Sequence, residues 1–369
     1  MSDIIKILPL SGLDEKGRDC YVVEINNDIF VLDCGTVSPD KTIPGVDFLL
    51  PNAQYLIQNK SRIKGYFITH GHDENMAALK YFYKDAPAPI FCSKATRMIM
   101  EKQAETYGVN AGFHFYEVQP SCEITVANRK ILFFQTTHNC CYSSGIAIDT
   151  DRGYIVYTGD FIVDYSLKNP EYVFDFKFLS TLANKETLIV LAESKKAGTP
   201  GYCSPKHKIT SHVEKYFKEA NKRIFINSFW QNFFRISEIV SLCKTYHKKL
   251  YFYNEYTKKI MDIFFKFSTI QLRPDEVVSS ENLLRVKNSD VVVLMLGHGE
   301  ELYEEMKLIA TGENTDKRLS LTPDDVFINV ALPLPALETL ATRSIDMIYR
   351  SGCEVVWVNK KQVVSMHAC

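Results

Sequence analysis

Hydrophobic positions in the first half of the chain fall in short runs divided by turns. DCYVVEI (19–25), DIFVLDCG (28–35), IKGYFITH (63–70), KILFFQTTH (130–138) and GYIVYTGD (153–160) are rich in β-branched and aromatic residues and read as strands. The last three each run into a residue able to bind a metal ion: His70, His138 and Asp160. Loops at strand ends are where a rigid sheet presents chemistry. From about residue 205 the texture changes to strand followed by long helix. RIFINSF (223–229), KLYFYNE (249–255), DVVVLMLG (290–297) and DVFINVA (325–331) each precede a helical stretch, and EVVWVN (354–359) follows the last helix after Gly352. Continuous apolar strands alternating with helices predict a parallel sheet covered on both faces.

The two textures predict two domains. The first runs over 1–204 and an α/β domain over 205–353, with 354–369 expected to begin a return to the first domain. No internal repeat or low-complexity segment interrupts the pattern.

Composition narrows the class. Lys plus Arg is 43 and Asp plus Glu is 44, a net charge of −1, which excludes coating nucleic acid by bulk charge but leaves room for a local basic cleft. The ten cysteines include no C-x-x-C pair, the N-terminal segment lacks a signal-peptide pattern, and the longest solid apolar run, Val291 to Leu296, is too short to span a bilayer. A reduced, cytoplasmic setting without membrane association is the expectation.

The strongest chemical signal is Thr69-His70-Gly71-His72-Asp73-Glu74-Asn75. A tight loop can aim two imidazoles spaced i, i+2 at one ion, with a carboxylate in reach. Alone, such a pair is as well read as a polar loop. His138, ending Thr136-Thr137-His138, and Asp160, ending Tyr157-Thr158-Gly159-Asp160, turn it into one coherent mononuclear site.

These segments, taken in order, resemble the metallo-β-lactamase superfamily and, within it, the β-CASP ribonucleases of the ribonuclease J type. The resemblance runs through LPLSGLDEKGRDCYVVE (8–24), DCG (33–35), ITHGHDENMAAL (68–79), TTH (136–138), IVYTGDF (155–161), PGYCSP (200–205), SFWQNFFR (228–235), Tyr349-Arg350-Ser351-Gly352 and Ser365-Met366-His367-Ala368. It implies an αββα metallo-β-lactamase sandwich with an inserted β-CASP α/β domain. It also implies zinc-dependent hydrolysis of RNA phosphodiesters in RNA processing and decay, with Mn2+ or Mg2+ as alternative ions. Family members continue beyond the Ser-x-His-Ala segment. The remainder of the first domain and a C-terminal domain are therefore expected to be missing, leaving exposed apolar surface and a need for a partner.

The family pattern is H-x-H-x-D-H, then a His, a bridging Asp and a late His. Here Glu74 stands for Asp, Asn75 for the last His of the motif, and no late His follows. By resemblance, His70, His72, His138 and Asp160 serve a first metal. Glu74 and Asp160 remain for a second and for catalysis. A neutral amide is a poor zinc ligand, so one occupied site rather than two is expected. Asp73 is expected to cap the following helix, a role Asn75 also suits. The resemblance further implies RNA phosphate binding by Ser365 and His367, and by Asn232 and Arg235 in the insert. Met366 in place of the usual Gly narrows the first of these pockets. Lys195, Lys196, Lys206 and His207 flank the domain junction and read equally as an RNA entry or a solvated basic loop. His298 in Gly297-His298-Gly299-Glu300 reads as plain turn chemistry.

Two functions compete. One is a ribonuclease J-type enzyme degrading or maturing RNA. The other is a degenerate paralogue, the same fold acting as a structural or RNA-binding partner of an active ribonuclease J in a homo- or hetero-oligomer.

Overall fold

Alternation in the first half builds two sheets. The computed structural model describes residues 2–15, 17–39, 43–219, 221–333 and 337–367; Lys16 and Ala368 of the segments above lie outside them. The first sheet holds β1 (Ile5–Ser11), β2 (Cys20–Ile25), β3 (Asp28–Leu32), β4 (Ile63–Phe67), β5 (Ile90–Cys92) and β6 (Phe115–Glu117), in that order. Pairing is antiparallel from β1 to β3 and parallel from β3 to β6. The second sheet holds β7 (Cys122–Val126), β8 (Arg129–Gln135), β9 (Ser144–Thr150), β10 (Gly153–Tyr157) and β11 (Thr187–Leu191), with only the β10–β11 pair parallel.

Every second residue of these strands enters one shared core. Val23, Ile25, Phe30 and Leu32 of the first sheet pack with Ile131, Phe133, Ile146, Ile148, Ile155 and Tyr157 of the second. That is the period-two face of a sandwich. The opposite face of the second sheet, through Leu132, Phe134, Ala147 and Val156, is covered by Phe178, Leu179 and Leu182 of a short helical segment. Ser93 caps the helix Lys94–Thr106 that follows β5, accepting from the Thr96 amide. The unit is an αββα sandwich. At its edge, β11 leaves Leu188, Ile189 and Val190 36%, 39% and 54% exposed.

The second unit is one five-stranded parallel sheet: β12 (Arg223–Phe229), β13 (Lys249–Phe252), β14 (Val291–Gly297), β15 (Asp325–Asn329) and β16 (Glu354–Trp357), ordered β13-β14-β12-β15-β16. Helices Phe233–Thr245, Glu255–Phe267, Gly299–Thr311 and Glu338–Arg350 supply the crossovers, which parallel pairing requires. One core joins Phe225, Val293 and Phe327 of the strands to Leu302, Tyr303, Ile345 and Ile348 of the helices.

One boundary differs from the sequence expectation. Residues from 354 were expected to start the return to the first domain. Instead β16 pairs with β15, the second compact unit spans Ser204–Ser365, and the chain rejoins the first unit only at Met366. An apolar strand after a helix gains most by extending a parallel sheet already formed. Among the described residues, no helix is long and apolar enough to cross a membrane.

Candidate metal centre

Three strands deliver the centre with the same offset. Each stops three residues short of a donor: β4 at Phe67 before His70, β8 at Gln135 before His138, and β10 at Tyr157 before Asp160. His72 follows on the loop that starts the short helix Asp73–Met76. One nitrogen from each of His70, His72 and His138 and a carboxylate oxygen of Asp160 lie within 4.8 Å of one another.

The spacing suits a small cation. His70 Nε2 is 3.1 Å from His72 Nδ1, and His138 Nε2 is 3.3 Å from the same atom. Ligands about 2.05 Å from one tetrahedral zinc are about 3.3 Å apart. Three ring nitrogens converging at that distance in a buried place need a proton or a cation between them. Burial and the neighbouring cationic groups hold His70 and His138 well below the ordinary imidazole range. Burial also opposes charge on His72, but Cys140, Glu74 and Asp160 outweigh it and raise its pKa. The outer nitrogen of His70 is fixed by Thr69 Oγ1 at 2.9 Å, as an oriented metal-binding imidazole requires.

Asp33 organises this shell from behind. Fully buried, it sits in the left-handed region at φ 54° and accepts from the Thr69 amide (2.8 Å), Thr69 Oγ1 (2.9 Å), Tyr157 Oη (2.8 Å) and Asn75 Nδ2 (2.8 Å). Burial pushes its carboxyl up to about 7, against those hydrogen bonds. Gly35, next but one, lies flat against the motif loop: a Cβ there would stand 1.6 Å from the Glu74 carbonyl oxygen. The loop is pinned by amides of Asp19, Cys34 and Thr36 donating to the carbonyls of Glu74, Asn75 and Asp73.

The structure corrects several expectations. Among the described residues the four-donor set closes without Glu74, which is one-third exposed and 3.8 Å from both His72 Nδ1 and Lys195 Nζ. Its Oε1 stands between the histidine and the lysine, in hydrogen-bond contact with neither. Asn75 donates from Nδ2 to Asp33, while its buried Oδ1 has no hydrogen-bond partner among the described residues. Asp73 does not cap the helix: His72 is the N-cap residue and Asp73, inside the first turn, accepts from Gln103 Nε2. In the second unit Asn232 caps the helix Phe233–Thr245 through the Arg235 amide, and the buried Arg235 donates from Nη1 to the Val330 carbonyl at 2.6 Å. Arg235 is thus buried, whereas Asn232 stays half-buried at the helix start. Ser365 is exposed, whereas His367 reaches the centre, its Nδ1 3.0 Å from Glu193 Oε2 and 3.5 Å from Asp160 Oδ2.

Sequence reasoning missed Glu193, Asp33, Asp19 and the role of Lys195. Lys195 Nζ stands 2.6 Å from Asp160 Oδ2. Burial alone would raise the Asp160 pKa, but Lys195, His367 and His70 hold it well below the carboxylate range. Asp19 is pushed up to about 8 by burial and by the carboxylates of Asp160, Asp33 and Glu74, with Lys195 opposing. DCYVVEI (19–25), DCG (33–35) and ESKK (193–196) carry these residues, but nothing in their spacing shows which carboxylate the lysine meets.

Residues 221–348 match the family model described as ribonuclease J, β-CASP domain. The chain is 28% identical over 366 residues to a Ribonuclease J 2 from Staphylococcus saprophyticus subsp. saprophyticus, covering 99% of this chain and 65% of the relative. Identity to a Ribonuclease J 2 from Staphylococcus epidermidis is 27% over 365 residues, with the same coverage. The chain therefore spans 65% of the length of these curated relatives. A crystal structure of a protein of unknown function from Enterococcus faecalis V583 shares the fold, with a TM-score of 0.65 at 15% identity over 99% of this chain and 89% of that one.

Proposed function

We propose, from the premise that this is a ribonuclease J-type chain of the metallo-β-lactamase and β-CASP group, that it binds RNA at a one-ion centre and hydrolyses phosphodiesters feebly. His70, His72, His138 and Asp160 would hold that ion; when bound, a divalent cation there supplies water activation and neutralisation of phosphate charge. Thr69 orients His70. Asp33 fixes Thr69 and the loop. Glu193 and Asp160 orient His367 beside the centre, where an imidazole can donate to a phosphate oxygen. The observation that carries the reading is the Lys195 ammonium on Asp160, beside a motif loop that offers the neutral amide of Asn75 where the pattern has an imidazole. A two-ion clamp would have to draw its second set from Asp160, Glu193 and His367, where Asp160 is already shared with Lys195.

The same observation favours a second reading, in which the chain is a non-catalytic, RNA-binding partner of an active ribonuclease J paralogue. Turnover of a 5′-monophosphorylated RNA, measured beside RNA binding and beside a two-ion ribonuclease J, separates them. Binding with a rate on the order of a hundredfold or more below that enzyme supports the first reading. Binding without any turnover supports the second. Rapid hydrolysis comparable to the two-ion enzyme, or no RNA binding, overturns both.

A further inference from the structure

One cation is already present beside the donor set, and it belongs to the chain. Lys195 Nζ lies 2.6 Å from Asp160 Oδ2 and 3.8 Å from Glu74 Oε1, with its side chain only 20% exposed. Asp19, half-buried, adds a third carboxyl to the same neighbourhood. Carboxylates gathered in a buried pocket need a positive counter-charge. Asp160 is the carboxylate shared between the four-donor set and the neighbouring cluster of Glu193 and His367, and Glu74 lies on the lysine's other side. The lysine head sits on both.

We infer that the Lys195 ammonium takes the place of a second metal ion at this centre. This rests on reading the centre as a one-ion site. The ammonium neutralises Asp160 and Glu74 as an ion would, but it cannot make a water molecule acidic. It also competes with a second ion: the ammonium already engages Asp160 Oδ2 and Glu74 Oε1, the oxygens such an ion would have to share. Like charges so close, in a poorly solvated pocket, repel strongly. Lys195 is thus a positioning residue. It holds the Asp160 carboxylate ionised and aimed while blocking the neighbouring position.

The test counts ions. The full chain is stripped with chelator, equilibrated with rising Mn2+ or Zn2+, and examined by native mass spectrometry, with fold checked by circular dichroism. Wild type is compared with Lys195→Met, Lys195→Gln and the charge-retaining Lys195→Arg. Each neutral variant is expected to bind one ion more than wild type, or to fill the centre at about tenfold lower free metal. Lys195→Arg is expected to keep the wild-type count. No gain in a folded neutral variant, or an equal gain in Lys195→Arg, overturns the inference. Wild type alone also decides: two ions at the centre at saturation, or none, overturn it even if both neutral variants misfold, and saturation at one ion supports it. Failure to bind RNA would sink the functional reading and leave this count unchanged, whereas two ions with rapid RNA hydrolysis would sink both.

Discussion

Single residues carry the shape of the centre, and two of them are testable by stability alone. Tyr157→Phe removes one of the donors on the buried Asp33 carboxylate. A hydrogen bond to a charged, buried group is worth about 1.5–3 kcal/mol, so urea denaturation should register a loss in that range. Gly35→Ala drives a Cβ into the Glu74 carbonyl, a backbone atom that no rotamer change can move aside. The expected loss is about 1–3 kcal/mol or more, together with weaker metal retention, measured by denaturation and by zinc release to a chromogenic chelator. Glu24 sets an acid limit. Its hydrogen bonds from Tyr55, Arg62 and Lys6 hold its carboxyl down at about 2, below the ordinary 4.5. A depressed carboxylate stabilises the fold above its unfolded pKa and loses that contribution as pH falls through the folded value. Stability should therefore drop between about pH 4.5 and pH 2, and Glu24→Gln should flatten that part of the curve.

At the scale of elements, the parallel sheet of the second unit is fastened by a buried pair. Arg223 and Asp325 face each other across β12 and β15, with Nε to Oδ1 and Nη2 to Oδ2 both at 2.9 Å. Removing one partner strands the other's charge. Arg223→Ala is predicted to cost about 3–5 kcal/mol in equilibrium unfolding, and a double variant that also neutralises Asp325 should recover part of it. The other informative element is β11. It pairs with β10 on one side only, and its apolar residues are exposed. Open apolar edges template association. Val190→Lys is expected to reduce aggregation on warming, followed by light scattering, while leaving circular dichroism unchanged.

For the whole molecule, the metal centre links binding to folding. The four donors come from loops after β4, β8 and β10 of two different sheets, so an ion held there ties both sheets of the sandwich together. A ligand bound only by the folded state stabilises it by mass action, by about 2.7 kcal/mol at a hundred times its Kd. Zinc should raise the melting temperature and chelation should lower it. His138→Ala should abolish the zinc-dependent increment; an unchanged increment would remove the assignment of these donors.

Strand positions, the change from sandwich to parallel sheet near residue 205, and the four donors were all legible in the chain itself. Each is written in local periodicity or in short motifs at strand ends, and local sequence controls those directly. Tertiary structure alone decided the rest. Glu74 came to stand between His72 and a lysine that lies far along the chain. Asn75 found Asp33, forty-two positions distant, and Lys195 found Asp160 across thirty-five. Arg235 went inward to a carbonyl on another segment, and β16 joined the sheet that offered it an open edge. Charge pairing, burial and edge pairing depend on which distant groups are brought together, and that distance in space is not encoded in spacing along the chain.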